Sequence, residues 1–191
     1  IYQLANFAAS TGKINIAQYC YELALEKDYA LGNFALTLVE AHISTKDYDG
    51  AVTFSEELIL ENPKWLQDQW PVFSSLRALA SYGLNRPDLG EIYLEEFLSE
   101  PGITSETLIA VAERFRADQM YQQAQKILDF AYANDTNNQR ILNNLIKVNL
   151  ELGMTQDLGD QIKKLLQTRR PDKKLLRDAY NRLGSDLFIF T

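Results

Sequence analysis

Apolar residues recur with a helical period along most of the chain. Between residues 103 and 136 two such runs stand on either side of a short polar break. Each has apolar side chains at i, i+3, i+4 and i+7. The first run holds Leu108, Val111, Ala112 and Phe115, and the second holds Ala124, Ile127, Leu128 and Ala131. This pattern predicts a pair of antiparallel amphipathic helices, and similar pairs elsewhere in the chain predict an all-α protein.

The helix pairs recur at a nearly constant interval. One position on the apolar face of the second helices recurs at spacings of 34, 39, 34 and 34 residues. It is occupied by Ala17, Ala51, Gly90, Ala124 and Leu158. A position of the first helices has the same spacings, at Ala5, Val39, Ala78, Ala112 and Ile146. The turns between paired helices are predicted at 12–13, 46–47, 85–86, 119–120 and 153–154. No single pair can bury its apolar face, so stacked pairs supply a continuous core.

We therefore predict five helix pairs, at about 1–29, 30–63, 64–102, 103–136 and 137–170. Residues 171–191 follow as a capping helix with an apolar tail. An irregular helical bundle that imitates the period is the alternative. The chain opens on Ile1 inside a helical pattern, which predicts that it is part of a longer protein.

These features resemble the tetratricopeptide repeat (TPR) family. The resemblance rests on the unit length, the small residues at 17, 51, 90 and 124, Tyr48 and Tyr121 after the turns, and prolines that close units. The stretch KDYDGAVTFSEELILENP at 46–63 matches best. The chain departs from the family pattern in two places. The fifth unit has Leu158 where a small residue is expected, and the third unit has five extra residues. The resemblance implies a right-handed α-solenoid of antiparallel helix pairs, with a concave groove along the first helices where ligands lie.

The family pattern also implies which residues line that groove. The candidates are Tyr2, Asn6, Asn33, Leu36, Glu40, Ser75, Tyr82, Ile109, Glu113, Arg116, Arg140, Asn143 and Lys147. Arg116, Arg140, Asn143 and Lys147 would suit an anionic group, because guanidinium groups pair well with carboxylates. The clamp for C-terminal carboxylates found in some family members is not supported, since the early units lack its lysine. The alternative is that the candidates are ordinary solvated side chains.

An insertion interrupts the period near NPKWLQDQWPVF, where both tryptophans stand. Pro71 is tolerated in the first turn of a helix, so a new helix is predicted from about Pro71 after a short turn or helix at 64–69. Trp65 and Trp70 are candidates for an exposed aromatic anchor for a partner. The alternative, which we favour, is that they fill the space that the insertion creates.

Charge narrows the range of partners. The net charge is -7 in a chain with 46% hydrophobic and 24% charged residues, which disfavours non-specific binding to nucleic acid or anionic membranes. No apolar run is long enough to insert into a membrane. Residues 163–182 hold eight basic and two acidic residues. One interpretation of this basic end is docking on an acidic partner or on the acidic flank of another copy. The alternative, which we favour, is a solvated helix face with favourable charge at a helix C-terminus.

Residues suited to catalysis are scarce. His42 is the only histidine and is expected to pack or to line a groove, while the only cysteine, Cys20, is expected to be buried. Neither a metal site nor a glycine-rich phosphate loop is predicted, so we expect no enzyme and no cofactor. A single cysteine fits a reducing compartment such as the cytoplasm, and leaves a periplasmic or other extracytoplasmic location open.

The sequence thus predicts a non-catalytic scaffold that binds a peptide or protein segment in a groove. The alternative is an assembly module of a larger, membrane-anchored or multidomain protein that packs through its ends and residues 171–191.

Overall fold

The computed structural model describes residues 1–27, 31–61, 66–154 and 158–184. These residues form α-helices joined by short connections, without any strand, as the apolar period predicts. The helices are α1 Tyr2–Thr11, α2 Ile14–Glu26, α3 Leu31–Ser44, α4 Tyr48–Glu61, α5 Trp70–Gly83, α6 Pro87–Ser99, α7 Ser105–Ala117, α8 Tyr121–Asn134, α9 Gln139–Leu152, α10 Leu158–Leu166 and α11 Lys173–Leu183. A short 3-10 turn, Gln67–Gln69, precedes α5, which begins one residue before the predicted start.

One turn geometry recurs between the paired helices. A residue with left-handed backbone lies in each predicted turn, at Gly12, Lys46, Asn85, Gln119 and Gly153, with φ between 57° and 69°. The amide of the next residue donates to the carbonyl five residues before it, over 2.8–3.0 Å. This hydrogen bond satisfies a carbonyl that the helix end leaves unpaired. The predicted intervals therefore mark a repeated three-dimensional turn, and each of the ten spaced positions is buried.

The described residues divide into two compact units, 1–101 and 102–191, of which the second is described to residue 184. In unit 1 each helix contacts the helices next to it in sequence, and α3 also contacts α1 and α5. The helix α3 is therefore covered on several sides, and all residues from 34 to 39 are buried. Phe73 and Phe97 are the largest fully buried side chains of this unit.

Glycines allow two close helix contacts in unit 1. A Cβ on Gly90 of α6 would lie 2.7 Å from the ring of Tyr82 on α5, so this pair can approach only with glycine there. A Cβ on Gly83 would lie 2.5 Å from the ring of Tyr48, at the contact of α5 with α4. The first contact joins helices within a pair, and the second joins one pair to the next.

In unit 2, α7 contacts α8 and α9, while α9 contacts α8, α10 and α11. One apolar cluster joins α9, α10 and α11 through Leu142, Ile146, Leu150, Leu158, Ile162, Leu165, Leu175 and Ala179. The helix α11 therefore packs Leu175 and Ala179 into the same cluster as side chains of α9 and α10. The tail at 185–191 lies outside the described residues.

A buried amide bridges three helices of the same unit. Asn149 of α9 is 1% exposed. Its Oδ1 accepts from Gln125 Nε2 of α8 over 2.8 Å, and its Nδ2 donates to Gln161 Oε1 of α10 over 3.0 Å. Because a buried amide needs these partners, the contacts favour one register of the three helices.

Candidate functional site

A polar cavity lies in unit 2 among α7, α9 and α11. Side chains at the helix starts fix where these helices begin. At the start of α7, Thr104 Oγ1 accepts a hydrogen bond from the backbone amide of Thr107 over 3.2 Å. At the start of α9, Asn138 Oδ1 accepts from the amide of Arg140 over 3.1 Å, and at the start of α11, Asp172 Oδ1 accepts from the amide of Lys174 over 3.0 Å. These N-caps satisfy amides that would otherwise lack partners. The apolar faces of α9 and α11 then meet in the shared cluster, and their polar faces border the cavity.

The cavity has a volume of about 320 Å³. It is lined by Arg116 of α7, Lys147, Leu150 and Glu151 of α9, and Leu175, Asp178, Asn181 and Arg182 of α11. Three basic and two acidic side chains thus surround two leucines. The combination suits a segment that brings both an aliphatic side chain and a charged group.

One basic side chain of the cavity is already paired. Both guanidinium ends of Arg182 donate to the carboxylate of Glu151, over 3.2 and 3.3 Å. The Arg182 Nη1 also donates to the carbonyl of Leu150 over 2.9 Å. This group ties α11 to the last turn of α9 and closes one side of the cavity.

Two cations of the cavity remain unpaired. Neither Arg116 nor Lys147 has an ion-pair partner among the described residues, and neither has Asp178. The Nε of Arg116 is buried and has no hydrogen-bond acceptor in the described part of the chain. Burying such a donor without a partner costs free energy, which an anionic ligand would offset. The cavity therefore offers two unused cationic groups against one unused carboxylate.

The structure brings together only part of the predicted groove in unit 2. Arg116 and Lys147 both line the cavity. Arg140 and Glu113 are exposed outside its lining, and Asn143 is partly buried with its Oδ1 unpartnered in the described residues. Ile109 is 3% exposed, so its predicted place on the groove surface is wrong: it packs in the core.

In unit 1, Tyr2 and Asn6 are exposed, and Asn33 and Glu40 are partly buried. The Tyr2 ring meets Phe34 edge-on, with centroids 5.7 Å apart. None of these four candidates lines the cavity of unit 2.

Three other candidates of unit 1 are used for packing. Leu36 and Ser75 are 8% and 1% exposed, which contradicts their predicted place on an open groove. Tyr82 turns its ring onto Gly90 and donates from its hydroxyl to Glu91 Oε2 over 2.6 Å. Its side chain therefore faces the partner helix of its own pair, because the glycine leaves room there.

The described tryptophan is also engaged within the fold. Trp70 is partly buried, packs on Phe73 at 5.7 Å, and donates from Nε1 to Glu96 Oε1 over 2.8 Å. These contacts agree with the alternative that Trp70 fills space within the fold. They do not favour an exposed anchor for a partner at this residue. Trp65 lies outside the described residues.

The two residues singled out for their chemistry have structural roles. Cys20 is fully buried, as predicted, and burial raises the pKa of its thiol. His42 Nδ1 lies 2.7 Å from Asp47 Oδ2, and Asp47 Oδ1 accepts from the amide of Gly50 over 3.1 Å. The hydrogen bond from His42 and then that from Gly50 lower the pKa of the Asp47 carboxyl. This arrangement holds the turn between α3 and α4.

Glu151, Asp178, Asn181 and Arg182 were missed as site residues. The helical spacing of 147 and 151, and of 178 and 182, was an available signal, since residues four apart share a helix face. The contact between α9 and α11 that brings the two faces together is not encoded in either helix alone.

The chain has no match among protein-family models, and no curated protein matches it significantly. Among the helices described here, none is both long and apolar enough to span a bilayer.

Proposed function

We propose that this chain is a non-catalytic interaction scaffold built as a TPR-like α-solenoid. Its ligand is an extended protein segment that places an acidic side chain in the cavity of unit 2. The repeated turns and the packing of neighbouring helices support the architecture. The observation that carries the binding site is the pair of unpaired cations, Arg116 and Lys147, around a cavity with aliphatic walls.

The cavity favours an acidic side chain over a basic one. Arg182 is neutralised by Glu151, so the cavity groups without an ion-pair partner in the described part of the chain are two cations and Asp178. Leu150 and Leu175 lie beside them and offer contact to an aliphatic neighbour of the acidic residue. The expected ligand motif is therefore an Asp or Glu next to a Leu, Ile or Val.

A peptide array tests this proposal. Wild-type protein should select peptides with such a motif, and Arg116→Gln or Lys147→Gln should weaken their binding by about 10- to 100-fold, the cost of about 1.5–3 kcal/mol for one charged hydrogen bond. Arg140→Gln removes the same charge outside the cavity lining and serves as the matched control. Selection of peptides that is unchanged in both cavity variants would refute the site.

A further inference from the structure

Two exposed surfaces of opposite charge lie outside the cavity. The first, the acidic surface, is on α2 and α4 and consists of Glu22, Glu26, Glu56, Glu57 and Glu61 with the exposed Leu25 and Leu60. The second, the basic surface, is on α10, the following connection and α11. It consists of Lys163, Lys164, Leu166, Arg169, Arg170, Lys173, Lys174 and Arg177, all exposed.

Contacts between α2 and α4 unite the acidic surface. The rings of Tyr21 on α2 and Phe54 on α4 meet edge-on at 5.3 Å. Burial and then the carboxylates of Glu61 and Glu57 raise the pKa of Tyr21. Neither carboxylate has an ion-pair partner among the described residues. Leu60, between Glu57 and Glu61 in the sequence, is 84% exposed, so the acidic surface includes a solvent-exposed apolar side chain.

The basic surface has the complementary composition. Asp160 lies 3.8 Å from Lys163, and Asp172 caps α11 with its side chain, so these two acidic residues are already engaged, while Asp178 of α11 lines the cavity. Five cations, at 169, 170, 173, 174 and 177, have no ion-pair partner in the part of the chain that the structure describes. Leu166, which stands three residues before Arg169 in the sequence, is 58% exposed. Each surface therefore combines unpaired charge with an exposed leucine.

We propose that the acidic surface of one copy binds the basic surface of a second copy. The charges are complementary, and pairing would remove Leu60 of one copy and Leu166 of the other from water. A second copy fits better than nucleic acid, because residues 1–101 carry 15 acidic and six basic residues and would repel a polyanion. This association is independent of the cavity, since none of its charged residues lines the cavity.

Reciprocal charge reversal tests this association. Glu57→Lys with Glu61→Lys defines the acidic-surface variant, and Arg169→Glu with Lys173→Glu defines the basic-surface variant. The new lysines lie near the C-terminus of α4, and the glutamate that replaces Lys173 lies at the N-terminus of α11. Both positions agree with the helix dipole, so the variants should keep their fold. Glu100→Lys with Glu113→Lys makes the same charge change as the acidic-surface variant at positions outside both surfaces, and is its control.

Sedimentation velocity measures the result over a range of protein concentrations. Wild type and control should associate at about 50 mM salt and dissociate at about 500 mM, because salt screens the paired charges. Each variant alone should associate about tenfold or more weakly, and an equimolar mixture of the two variants should regain association. A monomeric wild type at low salt, or a mixture that stays monomeric, would overturn the proposal. Binding of a fluorescent oligonucleotide that is lost only in the basic-surface variant, with no self-association of wild type, would assign that surface to nucleic acid and overturn it as well.

Discussion

Replacing Asn149 with alanine should destabilise unit 2. The side chain is 1% exposed and joins α8, α9 and α10 through two hydrogen bonds of 2.8 and 3.0 Å. Each bond contributes a net stabilisation of about 1 kcal/mol, and the space vacated by the amide adds a smaller cost. We therefore expect the free energy of unfolding to fall by about 2–3 kcal/mol.

A leucine at the same position separates hydrogen bonding from packing. Asn149→Leu keeps the branched shape of the side chain without its hydrogen-bonding atoms, and the amides of Gln125 and Gln161 are partly exposed and can turn to water. The loss should then be about 1 kcal/mol, smaller than for alanine. Asn137→Ala, at an exposed position in the same unit, is the matched control and should change stability by less than about 0.5 kcal/mol.

Urea denaturation followed by far-UV circular dichroism gives these free energies. Hydrogen exchange on α8, α9 and α10 should show the loss locally, because parts of a folded protein can open separately. An alanine variant as stable as the control would refute the reasoning. A leucine variant less stable than the alanine variant would show that the larger leucine does not fit among α8, α9 and α10.

Three further predictions concern the turns and the helix contacts. Gln119→Gly should stabilise the protein by about 0.5–1 kcal/mol in thermal or urea unfolding, because φ is +61° at this residue; destabilisation would contradict the left-handed assignment. Because the pKa of Asp47 is lowered in the folded protein, the ionised carboxylate stabilises the fold in full above its ordinary pKa of 3.8. This stabilisation is lost as the pH falls through the lowered pKa of the folded state. Asp47→Asn should therefore reduce the loss of unfolding free energy at acid pH by less than about 1 kcal/mol, since the side chain is 45% exposed. An unchanged dependence of stability on pH would exclude the pairing with His42. Gly83→Ala should cost about 1–2 kcal/mol because the added methyl group meets the ring of Tyr48, and equal stability would show that the ring is free to move.

Local signals in the sequence account for the helices and their turns. A helix ends where a polar break interrupts the apolar period, so the turn at Gln119 was predictable without any long-range contact. The buried positions at Ala17 and Ala124 followed from the spacing, because both stand on the apolar face of a helix that follows a turn.

The side-chain roles at the candidate site were less predictable. Leu36 was placed on a groove by the family pattern, but α3 is covered by several helices and leaves this side chain buried. Tyr82 faces Gly90 because the missing side chain leaves space, which depends on the partner helix. Arg182 and Glu151 are 31 residues apart, and their contact depends on how α11 packs on α9.

A double-mutant cycle between the cavity and a bound peptide tests the central claim most directly. Calorimetry measures four affinities: wild type and Arg116→Gln are each titrated with a selected peptide and with the same peptide carrying a Glu→Gln change. If the acidic side chain binds Arg116, either change alone should cost about 10-fold or more, and the second change should then add little. Costs that simply add would mean that the two groups do not meet, and would contradict binding of the acidic residue in this cavity.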